Sequence, residues 1–313
     1  MSVYFPRTIM EFAGHFSTED ACRDYLRQLR WPSGFECPRC GMPSRNYLEH
    51  RNLWVCTLGH QTSITTGTIM QRSHVPLTSW FWAAFLQVTN STGISSVTLA
   101  REIGVKQETA YMMLQRLRAG MVDPDREPLS GEVYVDEAFI SAGRVRVTRK
   151  RGRGTGKPIV VAAVEAQGKY AGRLRMRRIP SANEEDLIGF IQENVYEGSA
   201  VVTDGWQAYN ALPDYGYYHD TIESEEMHHP HRVFSNLKAW LIGTHHGVST
   251  KHLQAYLNEF TFRYNARRNL MAAFAAVLGI GTHVEGPEYE ELYSAGEPDG
   301  WIHPNPMDEG GQG

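Results

Sequence analysis

The stretch GEVYVDEAFI, residues 131–140, alternates side chains with the period of two that marks a half-buried β-strand. It also sets an acid, Asp136, in the strand interior among Val133, Val135 and Phe139. Aspartate has poor strand propensity, and a buried carboxylate without a partner costs several kcal/mol, on the order of other unpaired buried ions. The usual partners are an arginine or a divalent cation. This strand therefore places both the start of an α/β domain and a candidate site.

Downstream, KPIVVAAVEAQG (157–168) and GRLRMRRIP (172–180) read as two more strands, and NEEDLIGFIQENV (183–195) as a helix. SAVVTDGWQAY (199–209) is a buried strand that ends at Asp204, and YYHDTI (217–222) is a short further strand. A helix follows over about 231–243, then a longer one in TKHLQAYLNEFTFRYNARR (250–268). Three strands, a helix, a strand and then helices predict a mixed α/β domain. Taken singly, Asp136 and Asp204 each fit a structural ion pair; together, on strands expected to be neighbours, they suggest a Mg²⁺ cradle for phosphoryl transfer.

Upstream the pattern is helical. PLTSWFWAAFLQVTN (76–90) is apolar at helical spacing, and SSVTLAREIGVKQETAYMMLQRLRAGM (95–121) has the helix, glycine-containing turn and second helix of a helix-turn-helix. Thr98–Ile103 is the expected supporting helix. Lys106–Leu117 is the expected recognition helix, presenting Lys106, Gln107, Thr109 and Arg116 outward to DNA. A helical hairpin that only packs fits the same pattern.

Before these helices, residues 17–30 space Ala21, Tyr25, Leu26 and Leu29 as a short amphipathic helix, with Ser17 and Glu19 or Asp20 as capping candidates and Cys22 packed on it. Next, Cys37 and Cys40 at C-x2-C spacing before Gly41 form a knuckle that aims two thiolates at one ion, and Cys56 and His60 complete a tetrahedral Zn²⁺ set. Four protein ligands leave no open coordination position, so such a ribbon is structural. It closes with C-x3-H rather than a second C-x2-C.

Composition sets the outer limits. A chain of 313 residues with 42% hydrophobic content is large enough for two or three cored domains and is not disordered. The net charge of −4 hides an asymmetry: eight acids follow His283, leaving +4 on residues 1–283. Residues 141–178 carry twelve Lys or Arg against one acid, Glu165, most densely in GRVRVTRKRGRGTGKP. Such a run attracts a polyanion by counterion release, although a solvated loop reads the same way. Four cysteines do not make a secreted disulfide framework, and neither a signal peptide nor a stretch long enough to span a bilayer is present, so a soluble cytoplasmic, nucleoid-associated protein is expected.

VDEAFI, TDGWQAY, HRVFSNLKAWLIGTHHGVS and KHLQAYLNEFTFRYN, in this order, resemble the motifs of bacterial insertion-sequence transposases that join an N-terminal zinc ribbon to a ribonuclease H-like, DDE-type catalytic domain. The resemblance covers about residues 15–270. It implies an α/β, ribonuclease H-like mixed-sheet domain over 128–270, preceded by helix and zinc ribbon over 15–70 and a helix-turn-helix DNA-binding region over 71–122; outside the resemblance, composition reads 284–313 as an acidic tail expected to be disordered. It further implies that Asp136 and Asp204 hold two catalytic divalent ions, Mg²⁺ or Mn²⁺, for in-line attack on a phosphodiester.

The family's third catalytic position lies seven residues before a lysine, which places it at His231, with Lys238 as that lysine. Glutamate is common there, but asparagine or histidine often stands in this branch. Independently, Pro230 suits a first helical turn, so His231 is expected at the positive end of a helix, where the dipole favours the neutral ring that ligates a metal. Lys238, nearly two turns on, shares its face. Glu223, Glu225, Glu226 and Glu259 remain alternative third acids. The expected partner is double-stranded DNA, contacted also by Arg149, Lys150, Arg151 and Arg153, and synapsis of two ends implies a homodimer or larger assembly. A DNA-binding protein without catalysis and a nuclease without strand transfer are the two other readings.

Overall fold

The computed structural model describes residue 6, residues 8–140 and residues 157–293. These divide into two compact units, one running to Asp123 and resuming at Arg268, the other Pro124–Arg267. No helix among the described residues is long and apolar enough to cross a membrane.

The first unit opens with α1 (Ile9–His15) and α2 (Glu19–Arg30). Thr18, rather than Ser17 or the acids after it, caps α2 by accepting from the Ala21 N–H, and Ser17 instead donates to Gly14 O. Strands β1 (Ser44–Leu48), β2 (Leu53–Cys56) and β3 (Gln61–Ser63) form an antiparallel sheet. Arg30, at the end of α2, ties this ribbon down: buried over Trp31, it donates to the carbonyls of Ser63, Ile64 and Thr66.

Helices α3 (Leu77–Thr89), α4 (Ser96–Ile103) and α5 (Gln107–Ala119) follow. Ser95 caps α4 through the Thr98 N–H, and Gly104 ends it with φ +70, so the turn into α5 is the tight one the sequence predicts. The helical core is aromatic: Phe12, Phe16, Tyr25, Phe81, Phe85 and Phe274 pack ring to ring.

After β4 (Glu132–Phe139), β5 (Ile159–Gln167), β6 (Tyr170–Ile179), α6 (Glu184–Asn194), β7 (Ala200–Thr203), β8 (Tyr218–Thr221), α7 (His228–His245) and α8 (Leu253–Asn265) complete the second unit. The sheet order is β6-β5-β4-β7-β8, with β4, β5 and β6 antiparallel and β4, β7 and β8 parallel. This mixed sheet with helices on both faces is the ribonuclease H-like arrangement expected. Alternation along the strands assigns the faces. Ile140, Val160, Ala162, Val164, Leu174 and Met176 meet Val233, Leu237 and Trp240 of α7 and Leu253 and Leu257 of α8. Val133, Val135, Val161, Ala163 and Val201 meet Leu187, Ile188 and Ile191 of α6 with Tyr209 and Leu212.

Several arginines of the basic run are committed within this unit. Arg173 donates to both oxygens of Glu165 and to Pro128 O, Arg175 donates to Glu127 O, and Arg177 pairs with Glu193. The chain then returns to the first unit as α9 (Leu270–Gly281), whose Ala273, Phe274, Val277 and Leu278 are fully or nearly buried. A helix without a polar face has to be covered by its neighbours. Of the segment expected to be a disordered acidic tail, residues 284–293 instead take up structure, Glu288 pairing with Arg72 and Tyr289–Tyr293 forming the short helix α10, while residues 294–313 lie outside the described residues.

Candidate active site and metal centre

The parallel register between β4 and β7 runs toward the two acids. Tyr134 lies opposite Val202, and the same offset carries Asp136 to Asp204, immediately past the end of β7. Ligands of open α/β sheets bind at such carboxyl ends. Asp136 points to the α7 face, buried at 8% exposure, while Asp204 is exposed. The turn after Asp204 is tightly specified: its Oδ1 accepts from the Trp206 N–H at 3.1 Å, and Gly205 has φ +78 with no room for a Cβ, which would lie 2.7 Å from Thr221 Cγ2.

Helix α7 begins at His228, two residues earlier than the proline suggested. Pro230 is its third residue, where a missing N–H breaks no helical bond, and His231 N–H closes the first turn on Met227 O at 3.2 Å. This presents His231 Nε2 3.5 Å from Asp136 Oδ2. Lys238, exposed on the same helix, bears electrostatically on Asp136.

The electrostatics are those of a buried carboxyl with surplus negative charge beside it. Burial, then the neighbouring charges of Glu137 and Asp204, push the Asp136 carboxyl up to about 7 against the opposing effects of the Glu137 N–H and Lys238. A divalent cation would neutralise that surplus, so the donors fit one. Asp136, Asp204 and His231 are not among the groups of described residues whose ligand atoms all lie within 4.8 Å of one another.

The other candidates fall elsewhere. Glu223, Glu225 and Glu226 are exposed around a 3-10 turn, and Glu259 is fully buried on α8, 3.7 Å from Arg263. On α7, His229 packs edge-on against Tyr134, and His245 lies against Trp240 and Tyr256. Trp206 is half-buried, and its indole N–H donates to Ala182 O at 3.0 Å.

Sequence reasoning missed Glu137 and Tyr209. The Tyr209 hydroxyl, fully buried, donates to Glu137 Oε2 at 2.8 Å. The only signal was an acid directly after Asp136 and a tyrosine in an apolar run, which reads as core.

In the ribbon the Cys37, Cys40, Cys56 and His60 ligand atoms all lie within 4.8 Å of one another, the one such group among the described residues. Cys37 Sγ is 3.7 Å from His60 Nδ1, and Cys40 Sγ is 3.8 Å from Cys56 Sγ. Zn–S bonds of about 2.3 Å at tetrahedral angles separate sulfurs by about 3.8 Å, so the set fits Zn²⁺ as it stands. Both halves are built as knuckles: Gly41 N–H closes on Cys37 O with φ +69, and Gly59 N–H on Cys56 O with φ +84. Burial opposes ionisation of Cys37, but hydrogen bonds from the Arg39 N–H, His60 and Cys40 prevail and bring the thiol down to about 6. Cys22 is the contrast: buried on α2, with its thiol pushed up to about 12, it is a packing residue.

Of the expected DNA contacts, Lys106 and Gln107 are exposed at the start of α5 and Thr109 is half-exposed. Arg116 is a correction. Instead of pointing outward, it donates through Nη1 to Gln71 O at 2.6 Å and through Nε to Pro287 O at 3.0 Å. It lies on the face of α5 that packs, and its long stem carries the charge to carbonyls that need donors. Arg149, Lys150, Arg151 and Arg153 lie outside the described residues.

Comparison with known families matches residues 128–265 to the ISXO2-like transposase domain and residues 17–58 to the transposase zinc-ribbon domain. The chain is 28% identical over 277 residues to an uncharacterised protein in transposable element ISH50 of Halobacterium salinarum, covering 79% of this chain and 91% of that protein. Among solved structures, a chain of the simian T-cell lymphotropic virus intasome, in complex with the PP2A regulatory subunit B56 gamma, aligns over 57% of this chain and 66% of its own, with 10% identity and a TM-score of 0.30.

Proposed function

From a chain whose residues 17–58 and 128–265 belong to the transposase zinc-ribbon and ISXO2-like transposase domain families, we infer an insertion-sequence transposase that binds terminal repeats and catalyses metal-dependent DNA strand cleavage and strand transfer. The observation that carries this reading is the convergence of Asp136, Asp204 and His231 at the carboxyl end of the β4–β7 pair.

In this reading Asp136, Asp204 and His231 would hold two divalent ions, Mg²⁺ or Mn²⁺, and the chemistry supplied there would be activation of a water or a 3′-hydroxyl and stabilisation of charge on the transferred phosphate. Asp136 contributes a buried carboxylate with the charges of Glu137 and Asp204 nearby, which a bound cation would balance. His231 adds a neutral donor from the first turn of α7. Lys238 supplies a cation for a DNA phosphate beside the reacting one. Lys106, Gln107 and Thr109 on α5 contact the terminal repeat, the Cys37–Cys40–Cys56–His60 ribbon holds structural Zn²⁺ and braces that region, and two ends are brought together by at least two copies of the chain.

The test supplies DNA carrying the element's own ends together with a target duplex and Mg²⁺ or Mn²⁺. Cleaved and joined products are expected, both lost in Asp136→Ala and Asp204→Ala with end binding retained. End binding without cleavage in either metal would reduce the protein to a DNA-binding relic, and cleavage without any joined product, even when precut ends and target DNA are supplied, would make it a nuclease.

A further inference from the structure

The two acids lie beyond the end of the backbone ladder that should hold them together. Pairing between β4 and β7 runs from Glu132–Ala200 to Tyr134–Val202 and stops there, two residues short of Asp136 and Asp204. Asp204 sits on a turn outside its strand, exposed, and its own contact is local, to the Trp206 N–H. What spans the gap is on the opposite face of the sheet. Glu137 directly follows Asp136, so its side chain leaves the strand toward the α6 face. There it accepts from the hydroxyl of Tyr209, in the short 3-10 helix Gln207–Tyr209 that ends the turn begun at Asp204. Tyr209 is fully buried among Val133, Val135 and Val201, so the hydroxyl is held by its ring's packing and has little freedom to follow a wandering partner. The local bond from the Glu137 N–H to Asp136 Oδ1, at 2.8 Å, completes the link between this tie and the carboxylate.

We propose that the Tyr209–Glu137 hydrogen bond is a positioning device that sets the separation of the Asp136 and Asp204 carboxylates, and with it the affinity for the divalent ions. It rests on the two-ion reading of Asp136 and Asp204 given above. The tie works from behind the sheet, touching neither ion nor DNA. Its absence leaves the acids in place but lets the turn carrying Asp204 drift relative to β4. Outer hydrogen-bond partners of metal ligands characteristically change affinity by about 10- to 100-fold when removed.

The experiment titrates the full-length protein, its zinc left in place, with Mn²⁺ followed by paramagnetic resonance, so that no DNA chemistry is needed. Wild type is compared with Asp136→Ala/Asp204→Ala, Tyr209→Phe, Glu137→Ala and Glu137→Gln, each first checked by circular dichroism and thermal melting. Tyr209→Phe, which deletes only the hydroxyl, and Glu137→Ala are expected to weaken Mn²⁺ binding about tenfold with the fold intact. Glu137→Gln, which keeps an oxygen to accept from Tyr209 but removes a charge beside Asp136, is expected to lose clearly less affinity than Glu137→Ala. Tyr209→Phe binding like wild type overturns the proposal. So does Glu137→Gln falling as far as Glu137→Ala, because the charge and not the tie would then be operating. If wild type itself binds no Mn²⁺ lost in Asp136→Ala/Asp204→Ala, it is the two-ion reading that fails.

Discussion

His231 Nε2 stands 3.5 Å from Asp136 Oδ2, although 94 positions separate the two in the chain and they arrive from a helix and a strand. The contact singles out one member of a histidine-rich stretch. His228 is exposed and His229 is turned against Tyr134, so only the residue at the end of the first helical turn faces the acid.

His231→Ala is therefore expected to lower metal-dependent cleavage by at least about 100-fold, beyond what losing a mere supporting contact costs, with binding of end DNA unchanged by gel shift. His231→Glu restores part of the rate by returning the third carboxylate. Wild-type cleavage by His231→Ala would move the third ligand to Glu259 or the Glu223–Glu226 stretch.

The pH dependence follows from Asp136, whose folded carboxyl titrates near 7 rather than at its ordinary 3.8. Between those values the folded chain holds a proton that the unfolded chain has lost, so this group's contribution to stability falls as pH rises through the window. Asp136→Asn should consequently stabilise the protein at pH 8 without added divalent ion, by on the order of 2–4 kcal/mol, read from denaturant melts in buffer free of chelator so that the ribbon keeps its zinc. A variant that melts earlier than wild type contradicts this.

The same proton competes with metal. Half-saturation by Mn²⁺ is expected to rise by about tenfold for each pH unit below 7 and to level off above it. A flat profile from pH 5.5 to 8.5 would show that Asp136 is not a ligand.

One tightly held zinc per chain is expected by elemental analysis. Replacing it with Co²⁺ should give the d–d absorption of a tetrahedral site with three thiolates and one imidazole. Cys56→Ser or His60→Ala should release the metal and unfold the ribbon, because its binding energy is folding energy. Retention of full zinc by both variants would refute the ligand set.

Arg116→Ala and Lys106→Ala separate packing from recognition. Loss of Arg116 leaves the Gln71 and Pro287 carbonyls without its donors and should destabilise the first unit by about 1–3 kcal/mol. Lys106→Ala should leave stability alone and weaken binding to end DNA, with a shallower salt dependence. The opposite pattern would restore Arg116 to the DNA-facing surface.

Sheet, helices, ribbon ligands and the two acids were legible because each is written in short-range terms. Alternation around Asp136 marks a strand, C-x2-C before glycine marks a knuckle, and TDG marks a strand ending in a turn whose glycine needs a positive φ. Arg116 was misread for the same reason. Helical spacing says which residues share a face, but a residue at the border of that face can carry its guanidinium either way, and the carbonyls that captured it belong to Gln71 and Pro287, far off in sequence.

The chain alone thus determined which residue types with which chemistry it carries, since ligand spacing and periodicity are properties of neighbours within one or two turns. Only the tertiary structure decided which of them meet. It brought His231 to Asp136, set Tyr209 behind Glu137, and took the apolar helix Leu270–Gly281 back to the aromatic core of the first unit. Those pairings depend on burial of whole faces, and a face finds its cover by shape and apolar area, neither of which is encoded at any one position.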